Sequence, residues 1–206
     1  MNLTDALRTH RLLAIVRGPD PAAALASVLT LADSGVALIE VSLTGADALG
    51  VVRRARAALG PEFALGAGTV LTAEDARAAA EAGAAFLVTP ALAESLDEAP
   101  RLGLPVLAGA LTPTEVVRAR AAGAAAVKLF PASIGGPDYL GALRDPFPDT
   151  PLVPVGGVDA DSARRYLDRG AIAVGVGSPL LGDAVRGGDP AALRERAAAF
   201  LAAVRP

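Results

Sequence analysis

The sequence predicts an α/β fold: a single-domain (β/α)8 TIM barrel with short loops, which covers residues 1–206 and begins with a short N-terminal helix. Three observations indicate this fold. Short apolar runs rich in Val, Ile, Leu and Ala alternate eight times with Ala-, Arg- and Glu-rich stretches, as strand–helix units do. The ends of the runs lie 20 to 26 residues apart, the length of one strand and one helix. The runs are mostly continuous in apolar residues and do not alternate with polar ones, which is typical of parallel strands buried on both faces.

The eight predicted strands coincide with the apolar runs. They are residues 12–17, 38–43, 63–69, 85–90, 105–110, 126–131, 152–157 and 173–178. Eight strand–helix units with short connections close most simply into a barrel, because each crossover is right-handed. The alternative is an open, doubly wound sheet, which eight parallel units in one small domain make less favourable.

Helix signals occur between these runs. Thr112, Pro113 and Glu115 predict a capping box with proline at the first helical position. Asp189 and Pro190 begin the last helix. Six glycines follow helical stretches where the chain must leave the helix. They are Gly35, Gly60, Gly83, Gly103, Gly123 and Gly170.

The composition excludes several functional classes. The formal net charge of −3 leaves no basic excess to neutralise nucleic-acid phosphates. The longest uncharged stretches, residues 102–114 and 170–182, have 13 residues, fewer than the ~20 that cross a bilayer. The first residues contain no apolar signal segment, so we expect a cytoplasmic protein that does not bind membranes. Cysteine is absent, and the single histidine, His10, is expected at the surface or in a structural role, so no metal site is predicted.

The basic residues single out one position. Of 19 basic residues, 18 are arginine, and Lys128 is the only lysine. Lys128 lies inside an apolar strand, where an ammonium is costly unless it is paired. Arginine cannot be deprotonated and cannot form an imine, whereas an amine buried among apolar groups is favoured in its neutral, nucleophilic form. Lys128 is therefore a candidate nucleophile; the alternative is a structural lysine paired with a carboxylate.

Glu40 is the second ionisable side chain inside a strand. It lies in the second strand and Lys128 in the sixth, and alternate strands contribute to the same interior layer of such barrels. Both side chains can thus point inward at similar height. The functional interpretation is an amine nucleophile beside a proton-transfer carboxylate, and the structural alternative is a buried ion pair.

Other candidate residues follow the strands, at the end of the barrel where active sites lie. Polar side chains there are Arg17, Glu40, Thr69, Thr89, Lys128 and Ser178. Glycine pairs end the last two strands, and such loops frequently bind phosphate through backbone N–H groups. The candidate phosphate ligands in these two loops are Gly156, Gly157, Gly177 and Ser178. The alternative is that the glycines serve only tight turns. Arg17 is a candidate ligand for a carboxylate or phosphate, and the alternative is an ion pair at the rim. Thr69 ends a glycine-rich segment, which is interpreted either as a substrate contact or as a tight turn.

Six segments together resemble one enzyme family. They are IEVSLT, GAGTVLT, VKLFPAS, GGPDYLGALRDPFPD, VPVGGV and VGVGS. In this order, across about residues 12–200, they resemble the 2-keto-3-deoxy-6-phosphogluconate (KDPG) aldolase family, whose members often also cleave 4-hydroxy-2-oxoglutarate (KHG). The resemblance implies a class I aldolase, which forms a lysine Schiff base and needs no metal or other cofactor, and a homotrimer.

The resemblance also implies residue roles. Lys128 would form the Schiff base and Glu40 would transfer protons. Thr69 would contact the pyruvyl carboxylate, and Gly156, Gly157, Gly177 and Ser178 would hold the phosphate. Arg17, Pro90 and Phe130 are further expected substrate contacts. Two positions differ from many members: Thr44 stands where an arginine binds the carboxylate, and Val155 stands where KDPG-specific members have threonine, as in aldolases for the galactonate epimer (KDPGal).

The expected reaction is cleavage of KDPG to pyruvate and glyceraldehyde 3-phosphate, of KHG to pyruvate and glyoxylate, or of both. One alternative is the KDPGal reaction. Another is a phosphate-binding isomerase or synthase, in which Lys128 would donate a proton or hold a charge. A third is a sugar-phosphate binding module without turnover, which a costly buried lysine and glutamate disfavour.

Overall fold

The computed structural model describes residues 1–205, and in them eight parallel strands form one sheet. The strands are β1 (Leu12–Val16), β2 (Leu38–Ser42), β3 (Ala64–Gly68), β4 (Leu87–Val88), β5 (Val106–Ala110), β6 (Ala126–Leu129), β7 (Leu152–Pro154) and β8 (Val174–Val176). Their hydrogen-bonded order is β7-β6-β5-β4-β3-β2-β1-β8, so each strand lies beside its neighbour in sequence and β8 returns to β1. This order confirms the predicted barrel. A doubly wound sheet, whose strand order reverses at a switch point, is excluded.

The strands lie inside the predicted runs, but seven of the eight end one to three residues earlier than predicted. Proline and glycine explain the earlier ends of β4, β6 and β7. Pro90 and Pro131 have no N–H for a ladder. Gly156 and Gly157 have φ angles of +94° and +78°, which no strand residue adopts. Of the candidate polar residues, Arg17, Thr69 and Thr89 therefore follow their strands in loops, Ser178 begins a helix, and Glu40 and Lys128 lie within strands.

The seam between β7 and β8 is the weakest in the barrel. It consists of the Val155–Gly175 bridge and a hydrogen bond from the Ile172 N–H to the Leu152 carbonyl, 3.0 Å long. Because alternate residues of a strand face the same neighbour, the position of Pro154 also faces β8, and proline supplies no donor there. One missing donor thus accounts for a ladder that is shorter here than elsewhere.

Ten α-helices in residues 1–205 accompany the strands. They are α1 (Leu3–His10), α2 (Pro21–Asp33), α3 (Ala48–Leu59), α4 (Ala73–Glu81), α5 (Ser95–Glu98), α6 (Pro113–Ala121), α7 (Gly136–Arg144), α8 (Ala160–Asp168), α9 (Ser178–Leu181) and α10 (Pro190–Ala203). The predicted capping box is confirmed, since Thr112 and Glu115 cap the start of α6 reciprocally. Asp189 caps α10 as predicted, with Pro190 in the first turn. The six predicted helix-stop glycines all adopt positive φ, between +68° and +94°.

Two apolar layers hold the barrel together. The larger lies between the sheet and the surrounding helices, and the smaller fills the barrel interior. Helix α1 closes the N-terminal end of the barrel: Leu3 and Leu7 are buried in the interior layer, and the Thr4 hydroxyl donates to the Ala125 carbonyl at 2.7 Å. His10 is exposed at the end of this helix, as predicted. In the described part of the chain, no helix combines the length and apolar character needed to span a bilayer.

Candidate active site

A cavity of about 490 Å³ opens where the C-terminal ends of the strands meet. Of the candidate residues named from the sequence, Thr89 does not line it and ten do: Arg17, Glu40, Thr69, Pro90, Lys128, Phe130, Gly156, Gly157, Gly177 and Ser178. Thr44 and Val155, where the sequence differs from many family members, also line it, together with Ile15, Ser42, Val158, Gly175 and Pro179. The structure thus gathers into one cavity residues that are up to 164 positions apart in sequence, from Ile15 to Pro179.

Lys128 reaches this cavity because of the two-residue period of a strand. Val127 and Leu129 face the helices, so Lys128 shares the interior face with Ala126. The side chain is 5% exposed, and its Nζ lies 5.2 Å from the centroid of the Phe130 ring, within cation–π range. The only lysine of the chain is therefore a buried amine in the wall of a cavity.

Glu40 reaches the same cavity by the same rule. Ile39 and Val41 face the helices, and Leu38 and Glu40 face inward. The Glu40 side chain is 1% exposed, and its Oε2 has no hydrogen-bond partner in residues 1–205. Burial raises the pKa of Glu40 above its ordinary value of 4.5, and the positive charge of Lys128 partly opposes this rise. The carboxyl is thereby moved toward the range in which a general acid or base works.

Glu40 and Lys128 do not form the buried ion pair that was the structural alternative. Among residues 1–205, no Lys128 nitrogen and Glu40 oxygen lie within 4.0 Å of each other. Both groups line the cavity, and the charge of Lys128 acts to lower the pKa of Glu40 without a direct ion pair. A small molecule between them would contact both.

Burial of Glu40 predicts a pH-dependent cost in stability. A carboxyl whose pKa is higher in the folded chain favours folding below the unfolded pKa and loses that contribution as pH rises through the folded pKa. We therefore expect Glu40→Gln to be more stable than wild type at about pH 7 and equally stable at about pH 4. Each kcal/mol gained raises the Tm by about 2–4 °C in a chain of this size. Calorimetric Tm values across this pH range test it; a variant that is less stable than wild type at neutral pH would contradict it.

Gly68 leaves the space that the Glu40 carboxyl occupies. A Cβ on Gly68 would lie 2.5 Å from Glu40 Oε1 and 2.8 Å from its Cδ. We expect Gly68→Ala to displace the carboxyl and lower kcat by about 10²-fold, the cost of misplacing a reacting group by about 1 Å. Gly141→Ala is the matched control, because its Cβ would make only ordinary contact, 3.6 Å from Arg169. Steady-state kinetics of both variants decide the point; equal kcat values would show that Gly68 does not position Glu40.

Three hydroxyls form a connected group beside Glu40. Ser42 is 2% exposed, and its Oγ lies 2.9 Å from both Thr44 Oγ1 and Thr69 Oγ1. Thr69 has a φ of +59°, a conformation that is costly for a β-branched residue and is held where the surroundings require it. Ser42 was not selected from the sequence, but its place two residues after Glu40 puts it on the same face of β2. The contact with Ser42 thus holds the hydroxyl of Thr69, whose backbone is strained, in the wall of the cavity.

Thr89 does not belong to this cavity, although it also ends a predicted strand. Its hydroxyl donates to the Ala91 carbonyl at 2.7 Å and accepts the Gly109 N–H at 3.1 Å. Both hydrogen-bonding roles of Thr89 are therefore used within the fold. The hydroxyl shapes the loop after β4.

The opposite wall of the cavity comes from the loops after β7 and β8. Gly156 and Gly157 expose backbone there, and a Cβ on Gly157 would lie 2.7 Å from Ser133 Cβ. Ser178 begins α9, so its turn also presents backbone N–H groups. Arg17 is exposed at the rim and forms no ion pair in residues 1–205, unlike the predicted alternative. No group of three His, Cys, Asp or Glu side chains in the described residues could hold a metal ion.

Fold and site together define a (β/α)8-barrel enzyme with an amine and a carboxyl in one cavity at the C-terminal ends of its strands. Residues 3–195 match the family described as KDPG and KHG aldolase. The chain therefore belongs to the KDPG and KHG aldolase family of class I aldolases, which are carbon–carbon lyases, and the resemblance read from the sequence is confirmed.

Individual relatives agree with the family. The chain is 37% identical to the 2-dehydro-3-deoxy-6-phosphogalactonate aldolase of Escherichia coli K12, over 82% of this chain and 83% of that protein. It is 36% identical to the 2-dehydro-3-deoxy-phosphogluconate aldolase of Pseudomonas aeruginosa, over 78% and 73%. A solved structure described as native KDPGal superimposes with a TM-score of 0.87 at 35% identity, covering 93% of both chains.

Proposed function

We propose that this aldolase cleaves a six-carbon 2-keto-3-deoxy-6-phospho sugar acid, KDPG or its galactonate epimer, to pyruvate and glyceraldehyde 3-phosphate. It also cleaves KHG to pyruvate and glyoxylate. The observation that carries the proposal is the buried Lys128 amine, which shares a cavity with Glu40 without being tied to it in an ion pair. An amine held in this way is available to attack a ketone.

In the proposed mechanism, the neutral Lys128 amine attacks the C2 ketone of the substrate, and the resulting carbinolamine takes up a proton from water and loses its hydroxyl as water to give an iminium. Glu40 accepts the proton of the C4 hydroxyl, directly or through water, and the C3–C4 bond breaks. The bonding pair moves into the iminium and leaves an enamine, while C4 departs as the aldehyde. A proton adds to C3 of the enamine, and water hydrolyses the resulting imine to pyruvate and the free amine. The iminium accepts the electron pair, so this sequence requires no metal.

The remaining lining residues fit the two ends of such a substrate. Thr69, Arg17, Pro90 and Phe130 line the same cavity as Lys128. In the proposal, the Thr69 hydroxyl and Arg17 would bind the carboxylate next to the ketone, and Pro90 and Phe130 would contact the carbon chain. Glycine backbone after β7 and β8 allows close approach of the terminal phosphate, which Gly156, Gly157, Gly177 and Ser178 would bind through N–H groups. The relatives' substrates, as their names state, carry a phosphate.

One position in the cavity bears on the choice between the two epimers. Val155 lines the cavity at the end of β7, and a Cβ on Gly175 would lie 2.5 Å from Val155 Cγ2. This wall is therefore apolar and closely packed where KDPG-specific members have a threonine hydroxyl. A valine offers no hydrogen bond to a C4 hydroxyl of either configuration, so discrimination there depends on shape.

Pyruvate release, coupled to lactate dehydrogenase, tests the proposal with KDPG, KDPGal and KHG as parallel substrates. We expect kcat/KM for at least one phosphorylated substrate to exceed that for KHG, because the phosphate adds binding energy that KHG lacks. A preference for KDPGal would assign the epimer. Absence of pyruvate from all three would overturn the proposal in favour of an isomerase, a synthase or a binding module.

We also propose that the enzyme is a cytoplasmic homotrimer. The family resemblance, which implies a homotrimer, supports self-association. The single chain also exposes large apolar side chains that an interface would cover: Ile134 is 70% exposed, Val117 51% and Leu71 43%. The proposed phosphorylated substrate supports the cytoplasmic location. Its charge prevents it from crossing a membrane, so an enzyme that cleaves it would share the compartment in which it is made. Light scattering on the purified protein tests the trimer, and a monomeric mass would reject it.

A further inference from the structure

A second cavity lies at the opposite end of the barrel from the Lys128 cavity. Its volume is about 590 Å³, and its walls come from the ends of α1 and α7 and from the segments just before β1, β7 and β8. Because the N-terminal ends of the strands meet there, the length of the barrel separates the two cavities. Three arginines line it, Arg8, Arg11 and Arg144, against one carboxylate, Asp149.

The charge of these arginines is not balanced by close carboxylates. None of Arg8, Arg11 and Arg144 is in an ion pair within 4.0 Å among residues 1–205, and Asp149 is in none either. Five other arginines of the same range do pair with Asp or Glu: Arg54, Arg77, Arg101, Arg164 and Arg169. The cavity therefore carries an excess of positive charge.

The second observation is a pair of buried polar atoms without partners. Three such side-chain atoms occur in residues 1–205: Glu40 Oε2, Arg144 Nε and Thr150 Oγ1. The first belongs to the proposed catalytic cavity, and the other two belong to residues that line this second cavity. Thr150 is 3% exposed, so its hydroxyl cannot be satisfied by bulk water. Buried polar atoms without partners are costly, and an acceptor that small side-chain shifts brought within reach would satisfy both.

The position of Arg144 is built into the fold. Its Nη2 donates to the Pro148 carbonyl at 3.2 Å, which fixes the guanidinium plane. Gly170 has a φ of +93°, and a Cβ there would collide with the Arg144 guanidinium. Arg11 is held as well, since its Nη1 donates to the Val204 carbonyl at 3.4 Å. Two of the three guanidiniums are thus anchored by backbone, which leaves their other N–H groups for a ligand.

We propose that this cavity binds a phosphate-type oxyanion, either free phosphate or the phosphate group of a small ester. Guanidinium groups bind such anions through paired N–H donors, and a tetrahedral anion has enough oxygens for several donors at once. The Arg144 Nε–H and the Thr150 hydroxyl supply two of these donors, and Arg8 and Arg11 supply charge at the entrance. The proposal does not depend on the aldolase reaction, because no residue of the Lys128 cavity takes part.

Thermal stability in sodium phosphate, against sodium chloride at equal ionic strength, tests this site. Wild type is compared with Arg8→Gln and Thr150→Val, and with Arg53→Gln, which changes charge equally at an exposed residue outside this cavity. We expect a saturable rise in Tm for wild type and Arg53→Gln, and at least fivefold weaker apparent phosphate binding in the two cavity variants. Phosphate bound near Lys128 contributes equally to all four proteins. Pyruvate release by Arg8→Gln should match wild type, which separates this site from the aldolase site.

A direct readout is the Nε–H signal of Arg144 in ¹⁵N-arginine-labelled protein, assigned as the signal lost in Arg144→Lys. We expect it to shift with inorganic phosphate at the same midpoint as the Tm change. Repeating the titration with glycerol 2-phosphate identifies the source: tighter binding of the ester indicates a phosphorylated metabolite, and tighter binding of phosphate indicates the free ion. Equal phosphate responses in all four proteins, or an Nε–H signal that phosphate leaves unmoved, would overturn the proposal and leave water as the occupant.

Discussion

Replacing Lys128 with arginine is expected to lower kcat at least about 10⁴-fold, the scale on which loss of a covalent nucleophile acts. Arginine keeps the positive charge but cannot lose a proton to attack a ketone. If Lys128 served only as a charge in a phosphate-binding isomerase or synthase, Lys128→Arg would retain much of its activity. Pyruvate release measured at saturating substrate gives the answer.

The control for Lys128→Arg concerns folding. The arginine side chain is longer than that of lysine, and where its extra atoms meet buried neighbours, overpacking costs about 1–3 kcal/mol. Lys128→Met avoids this, because methionine is unbranched and adapts to the space of the lysine stem. Both variants should show the circular dichroism of wild type and no turnover. Substantial activity in either folded variant would exclude the imine mechanism.

Replacing Glu40 with glutamine is expected to lower kcat by about 10²–10⁴-fold, the usual contribution of a positioned general acid or base. Glutamine keeps the size and the hydrogen-bonding outline of the carboxyl but cannot accept a proton. The amine of Lys128 is untouched, so pyruvate should still form an imine with the variant. The measurements are kcat for cleavage and the yield of the trapped imine, on the same preparation.

The two consequences of Glu40→Gln oppose each other. At neutral pH the variant is expected to be more stable and less active than wild type, since the burial that raises the pKa of Glu40 also costs stability. A residue kept only for packing would show no such opposition. If the variant lost both cleavage and imine formation, Glu40 would instead be needed for the reactivity of the Lys128 amine. The result would then contradict a role for Glu40 in proton transfer alone.

The sequence predicted the fold well because its signals are local and repeated. Apolar runs at regular spacing, helix caps such as Thr112 and helix-stop glycines are each visible without tertiary contacts. The ends of strands were less predictable. Thr69 illustrates why: its positive φ depends on hydroxyl contacts with β2, and no local pattern would assign a β-branched residue to that conformation.

The sequence predicted those site residues whose burial carries a large free-energy cost. An ionisable group in an apolar strand, such as Lys128 or Glu40, is expensive unless it has a function, and this cost can be read from the sequence alone. Ser42 carries no such signal, because a buried serine costs little when it is bonded. The absence of an ion pair between Lys128 and Glu40 is a matter of three-dimensional distance, which sequence spacing does not contain.

The most direct test of the account is reduction of the wild-type protein with borohydride in the presence of pyruvate, followed by intact mass and peptide mapping. Lys128 is the only lysine, so the α-amino group of Met1 is the sole competing amine. The account predicts one pyruvyl adduct for each chain, on the arginine-bounded peptide of residues 121–144, and only when pyruvate is present. No adduct, or an adduct confined to Met1, would contradict it.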